Sequence, residues 1–214
     1  MSYLLRVELP DVPGSLGRVA TAIGLAGGNI EAIEIVEHGL GDSAVDDVFV
    51  RAEQGVMPDA IVSALHGLDG VQVLWISRYA AGANLTLDLE AVEEMTRNPA
   101  NATNQMVDLI PETFRVDWAM RLRRDGEGFA IVHRTPAAPE AVPQGLCWPT
   151  NFTAGTRFEL PDPWTDVILA ACPIERDNGN EMVVIARRGG PEILDSELAR
   201  LVHLCGLSTS ISKS

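Results

Sequence analysis

A chain of 214 residues with 46% hydrophobic and 21% charged side chains can form one large domain or two small ones. Its net charge of −14 disfavours binding to a nucleic-acid backbone, which requires clustered cations. Fifteen of the 16 basic residues are Arg and the single lysine is Lys213, which excludes a Schiff-base, pyridoxal-phosphate or P-loop lysine.

The sequence also predicts the cellular compartment of the protein. No apolar run reaches the roughly 20 residues that cross a bilayer, and the first residues lack the basic and apolar regions of a secretory signal. The three scattered cysteines, Cys147, Cys172 and Cys205, argue against a disulfide framework or a zinc ribbon and suit a reducing compartment. We therefore predict a cytoplasmic protein that binds neither membranes nor nucleic acid.

The first 80 residues predict elements in the order βαββαβ. Apolar segments separated by turn residues give strands at Tyr3–Leu9, Asn29–Val36, Ala44–Ala52 and Val71–Tyr79. Apolar residues at helical spacing give helices at Gly14–Ala26 and Pro58–Leu68. A turn at His38–Ser43 joins the second and third strands. This order is that of the split βαβ, ferredoxin-like motif, in which two helices cover one face of a four-stranded antiparallel sheet. The predicted fold class is therefore α+β.

A second unit follows a short neutral segment. Residues 80–84 are small and aperiodic, which predicts a linker at 81–86 between a domain of residues 1–80 and one of residues 87–214. The second unit has a helix at Leu87–Leu109 that Asn98-Pro99 interrupts, four strands, long loops at Pro136–Thr156 and a closing helix capped by Asp195. Its strands are Val116–Arg123, Gly128–Arg134, Asp166–Ile174 and Glu181–Arg187, the last two joined by a turn at 177–179.

The stretch ELPDVPGSLGRVA, residues 8–20, ends a strand and begins a helix almost at once. Pro10 and Pro13 remove strand hydrogen-bond donors, and Gly14 permits close backbone approach. The N–H groups of residues 14–16 then lack intrahelical partners and carry the positive end of the helix dipole, a position that suits a carboxylate. Asp11 beside them could hold an ammonium group. The stretch therefore indicates a site for a small anionic or zwitterionic ligand.

The same residues also have a purely structural interpretation. Asp11 could cap the helix, Gly14 could simply permit the turn, and Asn29 could satisfy a turn after Gly27-Gly28. In a βαβ arrangement Asn29 lies at the far end of the first helix. It would then reach the ligand only across a dimer interface.

Three runs carry a family resemblance: VELPDVPGSLGRVATAIGLAGGNIEAIEI, DDVFVRAE and ALHGLDGVQVLW. Together they resemble an ACT domain over residues 3–79, which implies a regulatory module that binds amino acids between paired domains. Asp11 and Asn29 match positions of ligand-contacting Asn residues in serine-binding members, whereas Leu9 replaces a ligand-contacting His. The candidate ligand-binding residues are Asp11, Val12, Pro13, Gly14, Ser15, Leu16, Asn29 and Ile30.

Residues 87–214 resemble a GAF domain. The features in common are an opening helix, two hairpins around a long central loop and a closing amphipathic helix. The resemblance implies a sensor of small molecules or of protein partners. Four aromatic residues are pocket candidates, although they could equally form core: Trp118, Trp148, Phe152 and Trp164.

The motifs of catalysis are missing from the sequence. Gly14-Ser15-Leu16-Gly17 is not a nucleophile elbow, the four histidines lack metalloprotease spacing, and the adjacent Asp46 and Asp47 of a strand point to opposite faces. The basic run at residues 121–124 is interpreted as a solvated strand end. We predict a non-enzymatic, homodimeric amino-acid sensor without a cofactor or metal. Two alternatives stay open: a regulatory subunit that docks to a metabolic enzyme without a ligand, and an enzyme using the region of Trp118, Trp148 and His133.

Overall fold

The computed structural model describes residues 1–38, 42–78, 83–149, 152–174 and 180–213. The chain forms two compact units, unit 1 at Met1–Ala83 and unit 2 at Asn84–Ser214. Of the predicted linker, residues 81–82 lie outside the described ranges, and from Ala83 onward the chain is helical. The centre of the predicted turn at His38–Ser43, and the predicted turn at 177–179, also lie outside them.

Unit 1 has the predicted βαββαβ order. Its strands are β1 (Ser2–Pro10), β2 (Gly28–His38), β3 (Ser43–Ala52) and β4 (Gln72–Arg78), and its helices are α1 (Ser15–Leu25) and α2 (Pro58–His66). The strands form one antiparallel sheet in the order β2-β3-β1-β4. This is the ferredoxin-like arrangement, so the predicted fold of the first unit is confirmed.

The alternation of β1 explains how the helices attach to the sheet. Every second residue of β1, from Tyr3 to Leu9, belongs to one apolar core. Helix α1 adds Val19 and Ile23 to this core at a spacing of four, and α2 adds Ile61 and Leu65 at the same spacing. Such spacing places the side chains on one helix face, and their burial removes apolar surface from water.

Unit 2 contains a five-stranded antiparallel sheet in the order β6-β5-β9-β8-β7. Its strands are β5 (Trp118–Asp125), β6 (Gly128–Arg134), β7 (Thr156–Phe158), β8 (Val167–Ile174) and β9 (Glu181–Arg188). Its helices are α3 (Ala83–Arg97), α4 (Ala102–Phe114) and α5 (Asp195–Ser212), with a 3-10 turn at Pro99–Asn101 between the first two. The predicted break at Asn98-Pro99 is therefore confirmed, whereas β7 was not predicted.

The start of α5 differs from the prediction. The N-cap is Leu194, whose backbone N–H donates to the Glu197 carboxylate at 2.8 Å. Asp195 is the first helical residue, so its assignment as the cap was wrong. The glutamate at the third helical position thus reaches back to the backbone N–H of the N-cap residue, which is the part that glutamate plays in a capping box.

Most aromatic residues of unit 2 belong to one core on one face of the sheet, the aromatic core, which they form together with aliphatic residues of the strands. The rings of Trp118 and Trp164 meet edge to face with centroids 6.4 Å apart. Trp148 stacks on Phe129 at 6.3 Å and meets Phe152 edge to face at 5.5 Å. These side chains fill the space between sheet and loops with one another, which favours their interpretation as core.

The basic run at the end of β5 is not simply a solvated strand end. Arg121 is only 7% exposed, and its Nε donates to Glu181 Oε2 at 2.8 Å. Its Nη1 donates to Asn104 Oδ1 at 2.9 Å. The prediction was wrong for Arg121 because the neutralising carboxylate lies on β9, about sixty residues further along the chain.

Candidate functional site

The β1–α1 loop is fixed by its own backbone. The N–H of Asp11 donates to the carbonyl of Asp42 at 2.7 Å, and the N–H of Val12 donates to the carbonyl of Pro10 at 2.9 Å. Gly14 is the N-cap of α1 and has a φ of 92°, in the left-handed region that glycine adopts without strain. The loop thus turns directly from strand into helix.

The hydrogen bonds of the backbone N–H groups at the start of α1 test part of the ligand hypothesis. The N–H of Ser15 donates to the carbonyl of Val12 at 3.2 Å, so this amide is occupied, contrary to the prediction. In the described part of the chain, the N–H groups of Gly14, Leu16 and Gly17 donate to no backbone acceptor, and the N-cap residue, Gly14, has no side chain that could accept from them. Three donors therefore remain at the positive end of the α1 dipole.

The residues predicted to bind the carboxylate and ammonium groups are mostly at the surface. Asp11, Val12, Pro13 and Gly14 are exposed, with Val12 at 51%, while Ser15 is buried. The sequence interpretation that Asp11 is the cap of α1 differs from the structure in one respect, because the N-cap position is taken by Gly14, which has no side chain. Asp11 lies three residues before the N-cap, in the loop that leads into the helix.

A shallow groove of about 370 Å³ begins at this loop and follows the outer face of α1. The residues that line it are small or apolar, apart from one arginine: Gly14, Gly17, Arg18, Thr21, Ala22, Leu25 and Leu68. Nη2 of Arg18 lies 3.4 Å from the Ser15 hydroxyl, which places a cation one turn from the open amides. Sequence reasoning missed this face of α1, although Gly17, Thr21 and Leu25 recur at a spacing of four opposite the buried face.

Asn29 and Ile30 lie at the other end of the sheet. In the register, Pro10 pairs with Ser43 of β3, whereas Asn29 pairs with Arg51. Eight residues along a strand correspond to about 27 Å. The structure therefore brings residues 11–16 together but separates them from Asn29 and Ile30 within one chain. A single small ligand cannot contact both sets on one chain.

The three residues of the alternative catalytic region are also separated. His133 pairs with Arg121 in the register, and its Nε2 lies 2.7 Å from Asp108 Oδ1 of α4. Trp118 and Trp148 belong to the aromatic core on the opposite face of the sheet. Among the residues that the structure describes, no three His, Cys, Asp or Glu side chains are placed to hold one metal ion. No helix in those ranges is long and apolar enough to span a bilayer.

The fold of unit 1 agrees with the protein family whose model matches its sequence. The family model of the ACT domain matches residues 3–70, which contain both helices and the first three strands. Residues 3–70 form an ACT domain. ACT domains are regulatory domains that sense small ligands, so the β1–α1 loop and its groove lie in a domain type with that role.

One curated relative of this chain is an enzyme. The chain is 38% identical over 78 residues to NAD-dependent malic enzyme 1 of Bacillus subtilis (strain 168). The match covers 36% of this chain and 18% of the enzyme, so the chain spans less than a fifth of the length of that relative.

Two GAF domains are among the solved structures to which this chain is similar. The GAF domain of the phosphoenolpyruvate-protein phosphotransferase from Acinetobacter is 13% identical, with a TM-score of 0.47, over 63% of this chain and 95% of that one. The GAF domain of the corresponding protein from Coxiella burnetii is 16% identical, with a TM-score of 0.41, over 61% and 95% of the two chains.

Proposed function

We propose that this protein is a non-catalytic sensor whose ACT domain binds an amino acid, or a similar zwitterion, at the β1–α1 loop of a homodimer. The observation that carries the proposal is the set of open N–H groups on Gly14, Leu16 and Gly17 beside the exposed Asp11. The three N–H groups supply hydrogen-bond donors for the carboxylate of the ligand. The nearby Asp11 carboxylate supplies an opposite charge for the ammonium group of the ligand.

The chemistry of the groove fits such a ligand. A carboxylate bound at the helix start accepts hydrogen bonds from the amides and is attracted by the helix dipole and by Arg18. An apolar ligand side chain would lie along the groove toward Ala22 and Leu25, whose neighbours are small. The groove is shallow, and a second surface is needed to exclude water from the ligand.

A second copy of the chain would supply that surface. Asn29 and Ile30 stand about 27 Å from the helix start on their own chain, so they complete the site only from another subunit. Their strand, β2, lies at one edge of the sheet, where its outer hydrogen-bonding groups can face another chain. A ligand shared between two subunits regulates by favouring the packing to which it binds more tightly.

Isothermal titration calorimetry of the full chain with each of the twenty amino acids tests the proposal. We expect at least one to bind, and we expect Asp11→Asn and Asn29→Ala each to weaken that binding at least tenfold. The matched controls are Asp69→Asn and Asn101→Ala, which change the same residue types at exposed positions outside the loop and groove. Flat titrations at millimolar ligand, or equal losses in the controls, would contradict the proposed site.

A second candidate function rests on the apolar surface of unit 1. Ile35 of the edge strand β2 is 55% exposed, and Leu25 at the end of α1 is 86% exposed. Such residues suit a regulatory subunit that docks to a metabolic enzyme without binding a ligand. Silent titrations together with specific co-purification of one enzyme, lost in Leu25→Asp and retained in Met57→Asp, would favour this candidate. Met57 is also exposed and lies outside the groove.

A further inference from the structure

Two cysteines of unit 2 meet inside its core. Cys172 lies on β8 and Cys205 on α5, and their Sγ atoms are 2.7 Å apart although the residues are 33 positions apart in sequence. Carbon atoms pack best at about 3.5–4.0 Å, and sulfur is larger. The contact is therefore closer than ordinary packing of two unbonded thiols. Both cysteines are free thiols.

The surroundings hold the two sulfur atoms in place. Cys172 and Cys205 are 0% and 1% exposed and belong to the apolar core beneath α5. Cys172 pairs with Val183 in the interior of the sheet. The carbonyl of Cys205 accepts hydrogen bonds from the hydroxyls of Ser208 and Thr209, which adds contacts to that turn of α5. The strand and the helix thus fix both backbones, and the packed core around the side chains limits rotation of either sulfur away from the other.

We propose that Cys172 and Cys205 are a modification site, at which a peroxide oxidises the two thiols to a disulfide between β8 and α5. One thiol loses its proton, and the resulting thiolate sulfur attacks an oxygen atom of hydrogen peroxide. The O–O bond breaks, a sulfenic acid forms, and the released hydroxide combines with the proton that the thiol lost to give water. The second sulfur then attacks the sulfenic sulfur, forming the S–S bond and releasing a second water. Two thiols are oxidised by two electrons in total, and one peroxide is reduced to two waters.

The geometry determines which oxidant can act and which product forms. Burial in the core raises the pKa of the Cys172 thiol, so few thiolates form there at neutral pH and the reaction is slow. A small neutral peroxide can enter such a site during local opening, whereas a bulky disulfide reagent cannot. The nearby second thiol intercepts the sulfenic acid, which favours the disulfide over further oxidation. Bond formation requires the sulfur atoms to approach from 2.7 Å to about 2.05 Å.

The disulfide would link the closing helix to the sheet. It would join residues that are 33 positions apart, and this link restricts the conformations of the unfolded chain. We therefore expect the melting temperature of unit 2 to rise by about 5–10 °C. The product would be as buried as the thiols are now, so we expect it to resist mild reductants until the protein is unfolded. Oxidation would thereby give a long-lived change in the stability of unit 2.

Peptide mapping of the full chain tests the proposal. The reduced protein is treated with hydrogen peroxide, free thiols are blocked under denaturing conditions, and the protein is digested with trypsin. The three cysteines fall on three separate tryptic peptides, 135–157, 158–176 and 201–213. We expect peptides 158–176 and 201–213 to appear joined, with a mass lower by two hydrogen atoms than their sum, and the melting temperature of the protein to rise. Dithiothreitol added in denaturant should reverse the link.

Three controls keep the result interpretable. Cys147→Ser removes the exposed thiol and should retain the link and the higher melting temperature. Cys205→Ala should abolish both. The wild-type protein oxidised in urea should give all three cysteine pairings, which shows that the native pairing is set by the fold. The proposal is overturned if peroxide treatment continued long after Cys147 is fully oxidised leaves the other two thiols free, or converts them to sulfinic acids without a link.

Discussion

At the scale of single residues, Glu181 shows how unit 2 neutralises buried charge. This carboxylate is 0% exposed. It accepts hydrogen bonds from Arg121 through one oxygen and, at 2.8 Å, from Arg123 through the other. Arg121 is itself buried, so most of the charges in this cluster are shielded from water. A buried ion pair adds little net stability compared with an apolar pair, but the loss of one partner leaves the other charge uncompensated.

We therefore expect Glu181→Gln to lower the free energy of unfolding by about 3 kcal/mol, because it removes the charge that compensates Arg121. The matched control is Glu93→Gln, which breaks an exposed ion pair with Arg97 and should have no measurable effect. Urea denaturation followed by circular dichroism gives both values. If the two substitutions lower the free energy of unfolding equally, burial does not increase the cost of removing the Glu181 charge.

At the scale of elements, the start of α1 depends on the left-handed backbone of Gly14. A Cβ at this position would meet no atom within 4 Å, so the only obstacle to a side chain is the φ of 92°. Gly17 also has open space around a Cβ, but it lies within the helix. The two glycines thus isolate the effect of backbone conformation from the effect of packing.

We expect Gly14→Ala to destabilise the protein by about 1–2 kcal/mol, since a left-handed conformation costs an alanine that amount. Gly17→Ala should instead stabilise it by about 0.5–1 kcal/mol, because alanine loses less conformational entropy than glycine in a helix. The midpoints of urea denaturation measure both changes. If the two substitutions shift the midpoint in the same direction, the assigned role of Gly14 is wrong.

The elements themselves could be predicted because their signals are local. The apolar run of β1 and the helical spacing of Val19 and Ile23 depend only on neighbouring residues, and both were identified from the sequence, whereas the alternation within β1 is a finding of the structure. The strand β7 has three residues, too few to show a period. The contacts between Arg121 and Glu181 depend on how distant strands pair, which no local pattern reveals.

The candidate site was predicted only in part for the same reason. Two prolines and a glycine indicate a strand that gives way to a helix, so the location of the loop followed from the sequence. The occupied amide of Ser15 and the cation of Arg18 depend on how the turn closes and how side chains orient, which sequence patterns do not specify. The separation of Asn29 from Asp11 followed from the topology, since two parallel strands joined by a helix begin at the same end.

At the scale of the whole molecule, net charge opposes the proposed homodimer. Each chain carries a charge of −14, so two copies repel each other at low ionic strength. Salt screens this repulsion, and the Debye length falls from about 30 Å at 0.01 M to about 8 Å at 0.15 M. An apolar contact at the edge strand β2 is almost unaffected by such screening. Association should therefore become stronger as salt is added.

We expect light scattering to show a mass that moves from 23.0 kDa, the mass of one chain, toward twice that value as sodium chloride is raised from about 0.01 to 0.3 M. Ile35→Lys should weaken association because it places a charge on the exposed edge of β2. The matched control Leu89→Lys adds the same charge at an exposed apolar position of α3, and should associate at least as well as the wild type. A single-chain mass at every salt concentration would contradict the homodimer. Association that weakens with salt would instead indicate an interface held by ion pairs.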